Sequence, residues 1–205
     1  MSYPLLLNLA SRRCLIIGAG LVGARKARGL LDAGADDVLA VSLMFHPDFP
    51  SAVRRVVARY DASHLEGASL VFASTDDPNV NAQVVRDARQ RGIWVNRADN
   101  DDTDTSDFTT PAVHREGALT LLVSAGGSPS LASTIRSDLA SKLDPRHVHM
   151  ADAMQVVRPI VLAEVTDPTL RRDIFRDLSG EEALDVLTVS GVDALIARVR
   201  SRYTA

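Results

Sequence analysis

The most specific chemistry in this sequence lies in Gly18-Ala19-Gly20-Leu21-Val22-Gly23. The three glycines directly follow the apolar run 14–17 and open the helically spaced stretch 22–33, the strand–turn–helix context in which this spacing binds the pyrophosphate of a dinucleotide. Gly18 permits the tight turn, Gly20 lets the backbone approach a phosphate, and Gly23 lets the helix pack against the strand. The helix start adds free amides and a partial positive charge. A glycine-rich turn without a ligand is the competing reading, and the presence of all three glycines with both flanking elements weighs against it. The second strand of such a fold ends in an acid about 20 residues further on, which binds the ribose 2′-hydroxyl of NAD. Here that end is Val41-Ser42-Leu43-Met44, with no acid and no adjacent arginine, and Arg54 and Arg55 lie further along. Ser42, Leu43 and Met44 are left to hold the ribose, and this position leaves NAD against NADP open. Thr75 and Asp76 end the third apolar run, on the edge where ligands bind; Asp76 or Asp77 can equally cap the next helix.

Two further groups suit a reacting substrate. Asp99 follows the fourth apolar run, where a carboxylate would reach a ligand and serve as a base. It also opens the acidic run 99–107, so a solvated loop is the alternative. Ser124, Gly126, Gly127 and Ser128 precede a helix beginning near Pro129. Amides at such a start cradle a carboxylate, or simply begin a helix. A calcium loop beginning at Asp99 fails, because Asp104 stands where glycine is needed and Thr110 where glutamate is needed. His147 and His149 read as solvated, and no metal site is expected.

The elements that must position these residues alternate. Apolar runs at 14–17, 38–43, 70–73 and 93–95 are separated by helical spacing at 22–33 and 79–90 and by the amphipathic stretch 51–59. Short apolar strands alternating with helices predict an α/β fold, a Rossmann-type doubly wound parallel sheet. A strand is expected at 119–123, with 111–114 beginning its approach. Helices are expected at 130–143, 156–163, 169–178 and 181–203, the last broken near Gly191.

Net charge is -3 over 205 residues, which provides no basic field for nucleic acid or anionic lipid. The single cysteine, Cys14, excludes an internal disulfide and reads as a small core residue. No apolar stretch approaches the roughly 18 residues of a membrane span. The opening residues reverse the charge order of a secretory signal, so a cytoplasmic protein is expected.

Together these motifs resemble the precorrin-2 dehydrogenase family, including the amino-terminal module of siroheme synthase. The resemblance runs through Gly18–Gly23 with Ala24-Arg25-Lys26, then Ala73-Ser74-Thr75-Asp76-Asp77-Pro78 with Asn81. It continues through Val95-Asn96-Arg97-Ala98-Asp99, Asp107-Phe108 with Pro111-Ala112, and Ser124-Ala125-Gly126-Gly127-Ser128-Pro129. Order and spacing match over roughly residues 1–145. The resemblance implies NAD-dependent oxidation of precorrin-2, a tetrapyrrole, to sirohydrochlorin by a homodimer. It implies an NAD-binding domain at 1–112, a dimerisation segment at 113–147 and a small helical domain at 148–205. It implies Asp99 as the base when matched from the strand, or Asp101 when counted back from Phe108; the strand end favours Asp99. Ala125 replaces a serine that some siroheme synthases phosphorylate. The methyltransferase domain of the fused synthases is not expected in these 205 residues. Some relatives also insert ferrous iron at the same site, and a non-catalytic NAD-sensing module is the alternative of another class.

Overall fold

The computed structural model of the chain describes residues 3–98 and 106–202. The chain divides into two compact units, Met1–Thr109 and Thr110–Ala205.

In the first unit, β1 (Arg13–Ala19), β2 (Asp37–Phe45), β3 (Arg54–Val57), β4 (Ala68–Ala73) and β5 (Trp94–Arg97) form one sheet in the order β3-β2-β1-β4-β5. Every pairing is parallel. Helices α1 (Leu21–Asp32) and α2 (Pro78–Gln90) cover it. The inner strands β1 and β4 are covered on both faces, which explains their continuous apolar sequence. Alternation splits them between two cores. Cys14, Ile16 and Phe72 pack with Ala24, Ala27 and Leu30, whereas Leu15, Ile17, Val71 and Ala73 pack with Val84, Val85 and Val95. The strand order reverses between β1 and β4, and the carboxyl ends of these two strands flank the crevice where open α/β sheets bind ligands.

The amphipathic stretch 51–59 does not form a helix; its centre is the edge strand β3. Arg54 and Val56 alternate with Arg55 and Val57, and a half-exposed edge strand tolerates two arginines.

In the second unit, β6 (Ala112–Glu116) and β7 (Leu119–Val123) form an antiparallel hairpin, followed by α3 (Pro129–Ser141), α4 (Pro145–Glu164), α5 (Pro168–Asp177) and α6 (Glu181–Ser201). Met150, Val157 and Val161 of α4 pack with Ile174, Leu184, Leu195 and Val199. Helix α4 starts eleven residues before the apolar spacing at 156 suggests. Asp144-Pro145 supplies the start signal: the Asp144 carboxylate accepts from Arg146 N (2.9 Å), and proline occupies the first helical position. The break near Gly191 is present within α6, at φ 77 and ψ -176. Among the described residues, no helix is long and apolar enough to cross a membrane.

Candidate functional site

The glycine loop turns at the carboxyl end of β1. Gly18 has φ +96, and a Cβ there would lie 2.5 Å from Ser74 O. A Cβ on Gly23 would collide with the carbonyl oxygen of Gly18. The fold itself therefore requires both glycines. Gly20 differs. Its backbone is ordinary (φ -72, ψ -165), and a Cβ there meets nothing within 4 Å. The protein does not demand glycine at this position, but a pyrophosphate lying on the backbone does.

Gly20 caps α1 without a side-chain hydrogen bond, and no acid occupies the first turn. Helices α2 to α5 each begin with a side chain bonded to a backbone amide, and α6 begins with Glu181 and Glu182. Helix α1 has neither, so its positive end is left for an anion. A cleft of about 260 Å³ beside it is lined by Val22, Ser74, Thr75, Asp76, Pro78 and Ala98. Ala19 is buried at the end of β1, while Leu21 is exposed. Ser42 is half-buried at the end of β2, and Leu43 and Met44 beside it are exposed apolar side chains that suit an adenine ring.

Gly18 to Gly23, Ser42 to Met44, Thr75 and Asp76 thus gather at the carboxyl edge of one sheet. Asp77, not Asp76, caps α2, its Oδ1 accepting from Asn79 N at 2.8 Å. This leaves Asp76 exposed in the cleft wall.

Two side chains of the motif 73–78 with Asn81 hold this site in roles that the motif alone does not reveal. Ser74 Oγ donates to Gly18 O (2.9 Å) and ties the glycine loop to β4. Asn81, fully buried in α2, accepts from Thr75 N (3.0 Å) and Thr75 Oγ1 (2.8 Å) and donates to Thr75 O (2.9 Å). Asn81 therefore fixes the segment lining the cleft.

Asp99 and Asp101 lie outside the described residues. The chain on either side of that stretch is joined. Arg97 N donates to Ser106 Oγ (2.8 Å), Asp107 N to Val95 O (2.9 Å), and Asn96 Nδ2 to Phe108 O (2.8 Å). Arg97 is buried and donates to Pro78 O at 3.2 Å. On the α1 face, Lys26 Nζ stands 5.2 Å from the centre of the Phe72 ring. Burial, then the charge of Arg25, lowers its pKa to about 8.

Ser124, Gly126, Gly127 and Ser128 sit between β7 and α3 in the second unit. Ser124 and both glycines are exposed, and the glycines form a turn at φ 51 and 80. Ser128 N donates to Ala125 O (2.8 Å), and Ser128 Oγ caps Leu131 N (3.4 Å), so two of the amides at this start are already engaged. His147 and His149 both lie in α4, two residues apart and on different sides of the helix.

This sheet order, loop and uncapped helix define a Rossmann-type dinucleotide-binding protein. Residues 5–112 match the family described as "Putative NAD(P)-binding". The chain belongs to that family. The siroheme synthase of Chromobacterium violaceum is 34% identical over 210 residues, covering 99% of this chain and 44% of that protein. Siroheme synthase 2 of Aeromonas hydrophila is 40% identical over 153 residues, covering 72% of this chain and 32% of that protein. This chain spans less than half the length of these relatives. The solved structure of SirC, precorrin-2 dehydrogenase, has TM-score 0.75 against it at 20% identity, covering 98% of this chain and 100% of that one, and the two share a fold.

Proposed function

We propose that this chain oxidises precorrin-2 to sirohydrochlorin with NAD as hydride acceptor. The observation that carries the reading is the ligand-ready glycine loop, with Gly20 open and α1 uncapped, in a chain similar over 99% of its length to part of a siroheme synthase. The nicotinamide accepts a hydride, and the balance is precorrin-2 + NAD⁺ → sirohydrochlorin + NADH + H⁺. The chain's own residues bind and orient. Amides of Gly20 to Gly23 hold the pyrophosphate at the positive end of α1. Leu43 and Met44 cover the adenine, and Ser42 meets the ribose. Thr75, held by Asn81, and Asp76 line the nicotinamide side. Asp99, two residues beyond β5, takes the proton, and Asp101 is the alternative base. Ser124 and the turn Gly126-Gly127-Ser128 receive substrate carboxylates. A cytoplasmic setting fits this reaction and the free thiol of Cys14.

The working unit in this reading is a homodimer. Leu131, Ile135 and Leu139 form an exposed stripe at four-residue spacing along α3, near the exposed Leu122 on β7. A second copy presenting the same stripe about a twofold axis would cover it. Sedimentation should give a dimer, and Ile135→Glu should yield monomers.

The test of the activity is anaerobic incubation of the purified chain with precorrin-2 and NAD, following the visible spectrum. Growth of the sirohydrochlorin spectrum with stoichiometric NADH supports the reading. Its loss in Asp99→Ala, and not in Asp101→Ala, supports Asp99 as the base. Cofactor binding without spectral change would overturn the enzyme reading in favour of an NAD sensor.

A further inference from the structure

Three residues of β2 stand opposite one residue of β1. Ile17 pairs with Val41 and Ala19 with Phe45, so Ser42, Leu43 and Met44 bulge beside Gly18. In dinucleotide-binding folds this strand end meets the adenosine ribose, and its charge selects the cofactor. A carboxylate accepts from a free 2′-hydroxyl and repels a 2′-phosphate, whereas an arginine pairs with the phosphate. The bulge carries one hydroxyl and two apolar side chains, and neither charge.

Four basic groups around the bulge are committed elsewhere, while Arg59, two residues past Val57, the partner of Ser42, is exposed. Arg54 pairs with Asp37 (2.7 Å), at the far end of β2. Arg55 lies over the rings of Phe45 (5.3 Å) and Phe49 (5.6 Å) and donates to Phe49 O (2.7 Å). Arg28 reaches from α1 to Asp48 O (2.6 Å). His46 Nδ1 accepts from Asp48 N (3.2 Å). Among the described residues, the acids flanking this strand end are likewise placed away from the bulge. Asp37 bridges Arg13 and Arg54, and Asp48 lies four residues past Met44, its carboxylate 75% exposed and 3.9 Å from His46 Nδ1.

We infer that this chain accepts NADP as well as NAD, because the end of β2 carries no carboxylate to repel a 2′-phosphate. The phosphate stays in water, and the remaining contacts are common to both cofactors. The inference rests on the dinucleotide reading of the site, and its failure is separable from the failure of that reading.

Titration of the purified chain with NADH and with NADPH, followed by nicotinamide fluorescence, tests it. The two Kd values should agree within about fivefold. An acid placed on the bulge should create the missing preference. Ser42→Asp, or Leu43→Asp on the same bulge, should shift the ratio toward NADH by about tenfold or more. NADPH binding more than roughly 30-fold weaker than NADH in the wild type overturns the inference and leaves the dinucleotide site standing. Binding of neither cofactor overturns the dinucleotide reading itself. An unchanged ratio in both variants overturns the placement of the 2′ position at the bulge.

Discussion

Gly20→Ala separates what the fold demands of the loop from what a ligand demands. Alanine adopts φ -72 and ψ -165 without strain, and its Cβ would meet no protein atom within 4 Å. On protein grounds alone, the change should be neutral or should stabilise by about 0.4–1 kcal/mol, by narrowing the unfolded chain's freedom. A pyrophosphate on the same backbone would be pushed off the amides. Losing one charge-assisted hydrogen bond, roughly 1.5–3 kcal/mol, weakens NADH binding by about tenfold or more. Gly23→Ala supplies the contrast. Its Cβ would collide with Gly18 O and lie 3.1 Å from Gly18 C and 3.3 Å from Ser74 Oγ. Backbone cannot swing aside, so overpacking should cost about 1–3 kcal/mol. In a unit of this size, each kcal/mol lowers Tm by roughly 4 °C or more. Fluorescence titration with NADH and urea unfolding of the two variants give the two readouts. Wild-type NADH affinity in Gly20→Ala, or destabilisation of that variant equal to that of Gly23→Ala, would refute the reasoning.

Three further outcomes are expected. Lys26 is lowered from 10.5 to about 8, chiefly by burial, so the unfolded chain binds more protons between those values and stability rises with pH across that window. Burial, then Asp37 and Asp36, raises the Cys14 thiol from 9.0 to about 11, which lowers stability with rising pH above 9. The Lys26 effect is therefore cleanest between about pH 8 and 9, and Lys26→Met should flatten the slope of unfolding free energy there. Cys14 is fully buried, so a thiol reagent at pH 8 should modify it only at the rate of unfolding, and rapid labelling of the folded protein would contradict its burial. Gly191 has φ 77 and ψ -176, a region essentially reserved for glycine, so Gly191→Ala should cost about 1–3 kcal/mol in urea unfolding even though its Cβ would meet open space.

The glycine loop was legible because its demands are local. The turn at Gly18 (φ +96) and the packing of Gly23 against Gly18 O both arise within six residues of chain. The alternating strands were legible for a similar reason: burial on both faces writes continuous apolar runs at 14–17 and 70–73. Edge strand β3 was not, since half-exposure gives Arg54-Arg55-Val56-Val57 a pattern that an amphipathic helix also shows. The start of α4 was present as Asp144-Pro145 but was outweighed by weak apolar periodicity in the helix's first half.

Ser74 and Asn81 stood within a motif of the sequence, but their supporting roles were illegible for a different reason. Ser74 Oγ bonds a carbonyl 56 residues away, and that pairing exists only once β1 and β4 lie side by side. Asn81 is six residues from Thr75, yet nothing in a buried helical asparagine announces that both its oxygen and its nitrogen turn back to one residue. The end of β2 shows the same division within one question. That Ser42-Leu43-Met44 lacks an acid is visible in the sequence. Whether Arg54 or Arg55 compensates depends on where each guanidinium is held, at Asp37 for one and between two phenylalanine rings for the other. In the dinucleotide reading of this site, the commitments of neighbouring charges therefore matter to cofactor choice as much as the strand end itself.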